Sequence, residues 1–205
     1  MVDATDALER LKRGNVRFAS GSSDRDPLTS SRKRGEAVDG QQPFAVVLGC
    51  SDSRVPVEMV FDQDLGDLFV IRVAGHVVAP SQIGSVEYAA EKFGTSLVVV
   101  LGHSQCGAVR AAVEELQRPS ADQSPHLKAI VDRIRPAVGE IVSENPGDDT
   151  GALVDKAVRA NIHHAVEALR HGSQIIESRI RSDGLSVIGA EYSLESGLVE
   201  FFEIQ

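Results

Sequence analysis

Apolar positions change their spacing several times along the chain, and each change predicts an element. From Thr5 to Ala19 the residues Ala7, Leu8, Leu11, Val16 and Phe18 form a roughly helical stripe among charges, which predicts an amphipathic N-terminal helix ending near Gly21. Ser, Asp, Pro and Gly between Ser22 and Gly40 predict a loop with room for one short helix. The run Phe44-Ala45-Val46-Val47-Leu48 is apolar throughout, as in a strand buried on both faces of a parallel sheet. Asp67 to Val73 and Ser96 to Leu101 repeat that pattern, and Ile83 to Phe93 between them has helical spacing that stops at Gly94. This is a βαβ unit.

Further helices are predicted from about Cys106 to Gln117, over 126–142 and over 151–171. Leu185 to Ser193 and Leu198 to Ile204, separated by Leu194-Glu195-Ser196-Gly197, read as a closing pair of strands. The expected fold is α/β: a mostly parallel central β-sheet with an antiparallel C-terminal edge element, flanked by helices. No stretch reads as a linker, so residues 1–205 are expected to form one domain.

Composition narrows the partners. A 42% hydrophobic share with 25% charged residues is ordinary for a globular chain, and the 4% aromatic share without Trp points to a core of Val, Ile, Leu and Ala. The formal net charge of −9 gives no field for holding nucleic acid or anionic lipid, and the cluster Arg32-Lys33-Arg34 reads as a solvated loop. Apolar runs such as Leu97 to Leu101 fall far below the roughly 18 residues of a membrane span. The acidic start, Met1 to Asp6, lacks the cationic and apolar regions of a secretory signal, so a cytoplasmic location is expected. Two cysteines, Cys50 and Cys106, are too few for a disulfide framework and direct attention to metal or catalytic chemistry.

Val-Val-Leu-Gly-Cys at 46–50 is echoed by Val-Val-Leu-Gly-His at 99–103, so two expected strands each deliver a metal-capable side chain after a glycine. Strand carboxyl ends form the crevice where open parallel sheets bind ligands, and Cys50 and His103 would converge there. Cys106 adds a third donor in an H-x-x-C spacing, and two thiols with an imidazole suit zinc better than calcium or magnesium. The competing reading makes the cysteines small buried hydrophobes and His103 a core histidine. Cys50 is followed by Ser51-Asp52-Ser53-Arg54, which sets a carboxylate and a guanidinium beside the proposed ligand. Asp52 would accept a hydrogen bond from a metal-bound water, and Arg54 would hold Asp52 ionised. A cysteine-phosphatase loop fails, because position 56 is Pro56 and the arginine comes at Arg54. A Cys50–His103 nucleophile pair stays open but leaves Cys106 without a role.

Cys50-Ser51-Asp52-Ser53-Arg54-Val55 with His103-Ser104-Gln105-Cys106-Gly107-Ala108 closely resembles the β-class carbonic anhydrases. Matches extend through Gly66 to Gly75, Gly84 to Ala89, Gly189 to Tyr192 and Gly197 to Phe201. The resemblance implies reversible hydration of carbon dioxide to bicarbonate and a proton by zinc-bound hydroxide. One Zn2+ per chain would sit on Cys50, His103 and Cys106, with Asp52 and Arg54 as the catalytic dyad. It also implies a substrate pocket of Gln41, Phe69, Ala74, Tyr88 and Gly107. Some members close the site by swinging the dyad aspartate onto zinc, so Asp52 is also a candidate fourth ligand; Gln41 favours the open arrangement. The family assembles as a homodimer or homotetramer in which N-terminal helices reach across to the partner. His76, His163, His164 and His171 are candidates for exposed proton shuttles, with scattered surface histidines the plainer reading. Two alternatives remain: a related zinc hydrolase of carbonyl sulfide or carbon disulfide, and a closed structural or sensory zinc protein.

Overall fold

The computed structural model describes residues 2–23, 38, 40–119 and 124–202. Most of the 22–40 stretch, Arg32-Lys33-Arg34 included, lies outside the described residues, as do 203–205. The elements are α1 (Ala4–Ala19), β1 (Ala45–Gly49), α2 (Val57–Val60), β2 (Leu68–Arg72), a 3-10 turn (Ala74–His76), α3 (Pro80–Phe93), β3 (Leu97–His103), α4 (Gly107–Gln117), α5 (Pro125–Glu144), α6 (Thr150–His171), α7 (Gln174–Ser182), β4 (Ser186–Tyr192) and β5 (Val199–Phe202).

The five strands form one sheet in the order β2-β1-β3-β4-β5. All neighbours pair parallel except β4 and β5, which pair antiparallel through Gly189↔Phe202 to Tyr192↔Val199. After β1 the chain moves to one side of the sheet, and after β3 it continues to the other. The connections therefore diverge between the carboxyl ends of β1 and β3, and that divergence opens a crevice.

Alternation divides the strand side chains between two cores. Val46, Leu48, Val98, Val100 and Val187 face α3, α4, α5 and α6. Ala45, Val47, Leu97, Val99, Leu101, Ile188 and Ala190 face α1, α2 and Phe61. Burial on both faces explains why these strands read as continuous apolar runs.

Helix α1 packs on its own chain, burying Ala7, Leu11, Gly14 and Asn15. Val16, expected on the buried stripe, is 59% exposed. Asn15 takes the place the stripe would assign to an apolar residue, because its amide donates to Val60 O (3.1 Å) and Gly197 O (2.9 Å) and its oxygen accepts from Val199 N (2.8 Å). Two helices are additional to those the sequence predicts. α2 is a single turn, too short for periodicity to register, and α7 is mostly polar, begun by Ser173, whose hydroxyl accepts from the Ile175 and Ile176 amides.

Gly14 sits where α1 crosses the end of α2. A methyl group there would overlap the Phe61 carbonyl oxygen and stand 2.8 Å from the Gln63 amide nitrogen. Helix propensity alone favours Gly14→Ala by about 1 kcal/mol, but a backbone overlap cannot be relieved by a rotamer change. Gly14→Ala is expected to lower stability by about 3 kcal/mol in urea unfolding, at the upper end of typical overpacking costs; equal or greater stability would show that α1 is not seated here.

Candidate metal centre

Strand pairing brings the candidate ligands together. Cys50 follows the last residue of β1 and His103 ends β3, with Gly49 paired to Leu101 across the two strands. Cys106 caps the N-terminus of α4. Gln105, between the two donors of the H-x-x-C turn, adopts the left-handed conformation (φ 57°), which folds the turn back on itself. The ligand atoms of Cys50, His103 and Cys106 all lie within 4.8 Å of one another, and all three residues are buried.

The donor set fits a tetrahedral ion of the zinc type. The two Sγ atoms are 4.0 Å apart, without a disulfide, against about 3.8 Å between two thiolates on one tetrahedral zinc. His103 Nδ1 lies 2.9 Å from the Ser104 carbonyl oxygen, an acceptor only, so the ring proton resides on Nδ1. Nε2 is left with its lone pair directed into the cluster and has no hydrogen-bond partner among the described residues. An orphaned buried nitrogen beside two thiols is the arrangement a metal would complete.

The electrostatics of the thiols are asymmetric. The Cys106 thiol, then the Gly75 N–H and the backbone at Asp52, pull the Cys50 thiol well below its ordinary range, against the opposing effect of burial. Cys106 is pushed far up by its hydrogen bond to Cys50, by burial and by the negative charge on Cys50. The pair thus shares one proton between two sulfurs.

Asp52 stands at the mouth. Arg54 donates through Nε to Oδ1 (3.0 Å) and through a terminal nitrogen to Oδ2 (2.8 Å), and its backbone N–H also reaches Oδ1 (3.0 Å). This bidentate grip holds the Asp52 carboxyl well below the usual carboxylate range, with burial opposing it. Asp52 Oδ2 lies 3.9 Å from His103 Nε2.

The other predicted residues are distributed unevenly. Ala74 opens the 3-10 turn against Cys50, and Gly107 is the first residue of α4 after Cys106. Gln41 lies at the opposite end of β1, in a cavity with Phe44, Phe93 and Thr95. Phe69, Tyr88 and Phe93 cluster near that same end, with the Phe69 and Tyr88 ring centroids 6.1 Å apart and Tyr88 edge-on to Phe93, and Tyr88 is exposed. One chain does not bring Gln41, Phe69 or Tyr88 to its own Cys50. His76, expected at the surface, is fully buried: it adopts a positive φ (43°) and its ring meets Asn161 of α6.

Two contributors carry no role in the sequence pattern. The Arg72 guanidinium donates to Cys50 O (3.0 Å) and Asp52 O (2.6 Å), fastening the loop that bears both side chains. The Gly75 N–H donates to Cys50 Sγ (3.3 Å). Their one sequence signal is the run of motif-like residues from Gly66 to Gly75, which marks the segment without assigning contacts.

The family model described as "Carbonic anhydrase" matches residues 45–199. A protein named "Carbonic anhydrase 2" from Mycobacterium tuberculosis is 38% identical over 191 residues, covering 93% of this chain and 89% of that protein. A "Carbonic anhydrase" from Mycolicibacterium smegmatis is 36% identical over 197 residues, covering 95% and 91%. Among solved structures, the β-carbonic anhydrase CcaA superposes with a TM-score of 0.73 at 27% identity over 96% of this chain and 95% of that one. The fold is shared with the β-carbonic anhydrase CafA of Aspergillus fumigatus, with a TM-score of 0.75 at 24% identity over 97% and 89% of the two chains. With the family model spanning most of the chain and close relatives matching nearly all of it, the chain belongs to the β-carbonic anhydrase family of lyases.

Proposed function

We propose that residues 1–205 act as one zinc-dependent domain that reversibly hydrates carbon dioxide to bicarbonate and a proton, with Cys50, His103 and Cys106 holding the metal. The observation that carries this reading is the convergence of those three donors beside an Arg54-clamped Asp52 in the crevice between β1 and β3. A zinc ion held by Cys50, His103 and Cys106 would supply the Lewis acidity that makes water a nucleophile near neutral pH.

The protein's own groups do the rest. The Ser104 carbonyl fixes the His103 tautomer so that Nε2 faces the cluster. Asp52, kept ionised by Arg54, presents Oδ2 as an acceptor that orients the attacking water and receives a hydrogen bond from it. Arg72 holds Cys50 and Asp52 in one rigid loop. Arg54 holds both Asp52 oxygens at the mouth of the cluster, the orientation that an open site requires.

Gln41, Phe69 and Tyr88 line a substrate pocket only if a second copy delivers them, which favours an obligate homo-oligomer. The likeness in fold to a tetrameric β-carbonic anhydrase from Sordaria macrospora (TM-score 0.74, 22% identity) is consistent with this. Two reduced thiols as ligands suit a reducing, cytoplasmic setting. Among the described residues, no helix is long and apolar enough to cross a membrane.

Three measurements test the reading. Stopped-flow hydration from about pH 6.5 to about pH 9 is expected to show turnover that rises with pH through about 7 and is lost on stripping the metal; full activity without zinc would sink the mechanism. Cys106→Ser is expected to lose zinc, whereas Arg54→Ala is expected to retain it and lose about 10²-fold in turnover, checked by metal analysis alongside the rates. Zinc titrated into metal-free protein is expected to displace the proton held between Cys50 and Cys106, so that binding releases protons and weakens as pH falls; calorimetry in buffers of differing ionisation enthalpy checks that release.

A further inference from the structure

Asn161 lies in the middle of α6, 2% exposed, and none of the chemistry above uses it. Its side-chain nitrogen is 2.9 Å from the Gly75 carbonyl oxygen and 2.9 Å from His76 Nε2. A carbonyl can only accept, so the nitrogen donates one hydrogen there and aims its second at His76. His76 therefore accepts through Nε2, and the ring is fixed in position and tautomer.

The turn held in this way is an improbable one. Gly75 (φ 67°) and His76 (φ 43°) are consecutive left-handed residues, and for His76 that conformation is unfavourable unless the surroundings impose it. A side chain at position 75 is also barred, since its Cβ would stand 2.8 Å from Ile134 Cδ1 and 3.0 Å from Ala108 Cβ. In this turn the Gly75 N–H points at Cys50 Sγ (3.3 Å). The clamp reaches the second ligand strand as well, because the His76 ring, beside Ile162 of α6, closes on Gly102, the residue before His103: a Cβ on Gly102 would lie 2.5 Å from Ile162 Cδ1 and 3.2 Å from His76 Cε1.

We infer that Asn161 is a positioning residue for the metal centre: it clamps the Gly75–His76 turn so that the Gly75 amide donates to the Cys50 sulfur and the His76 ring braces the strand end bearing His103. The inference rests on the proposed metal site and deepens it. An N–H donated to a thiolate draws charge from the sulfur lone pair and restrains its direction. Without the clamp, the sulfur becomes a more electron-rich and less tethered ligand.

The test is cobalt(II) substitution together with zinc transfer to a chromogenic chelator, applied to full-length protein. In Asn161→Ala the sulfur-to-cobalt charge-transfer band is expected to move to longer wavelength, and zinc to leave about 10- to 100-fold faster. Leu169→Ala, two turns further along the same buried helix, serves as a comparison that loses stability without touching the turn; its band is expected to stay in place. If Asn161→Ala does not fold, Asn161→Ser, which keeps a single donor, is expected to shift the band in the same direction. An Asn161 variant with an unmoved band and wild-type zinc release would overturn the inference while leaving the metal site intact. A shift matched by Leu169→Ala would also overturn it, by reducing Asn161 to a packing residue. Wild-type protein that takes up no cobalt with thiolate character would overturn the metal reading itself, and the inference with it.

Discussion

The parallel pairing of β1 with β3 is the constraint on which the site depends. It sets two strand ends side by side, so that Cys50 and the His103–Cys106 turn, separated by 56 residues at their widest, meet with 4.0 Å between sulfurs. Both strands are buried on both faces, and a slip in register would move Val46, Leu48, Val98 and Val100 from one core into the other. The same burial that stabilises the sheet therefore fixes the spacing of the ligands. A one-residue slip would exchange the two cores and break the site together.

Around that frame, the polar groups solve a problem of charge. Two buried thiols cannot both ionise unless a cation joins them, and the protein leaves one proton on the pair, with Cys50 low and Cys106 high. The Gly75 amide donates to the Cys50 sulfur, while the first amides of α4, at Ala108 and Val109, face Cys106 without outweighing its burial and the charge on Cys50. Asp52 faces the same cluster yet stays ionised because Arg54 grips both of its oxygens. Arg54 itself is half-exposed, so the pair spans the boundary between a dry ligand set and solvent. That is a suitable place for a group that must accept a proton-bearing partner and stay in contact with water.

Support for the site comes from far along the chain. Arg72 ties down the Cys50–Asp52 loop, while Asn161, from a helix beyond β3, holds the turn that meets Cys50. The fold places both by burying α6 against the sheet through Leu153, Val154, Ala157, Val158, Ile162 and Ala165. A packed helix can thus hold a strained two-residue turn that local sequence would not adopt by itself. The opposite face of the sheet carries a lighter cover, α1 and the single turn of α2, and there Val16 and Met59 remain exposed.

Much of this was written locally. The strands, α1, α3 and the long helices announce themselves because their apolar spacing matches one period over many residues, and Cys50-Ser51-Asp52-Ser53-Arg54 and His103-x-x-Cys106 place donors within reach of one another along a short stretch of backbone. Asp52 and Arg54 were legible for the same reason: two residues apart, they can pair whatever the rest of the chain does. Short or polar elements such as α2 and α7 lack enough residues for a period to emerge. The role of Arg72, the inward turn of His76 and the clamp by Asn161 had no local signature, since each joins groups 20 to 86 positions apart. Nor could periodicity foresee that Gln41 and Tyr88 lie at the far end of the sheet from Cys50. Local sequence determined which side chains are available for the proposed chemistry; only the register of a sheet buried on both faces decided how far apart they stand and what holds them there.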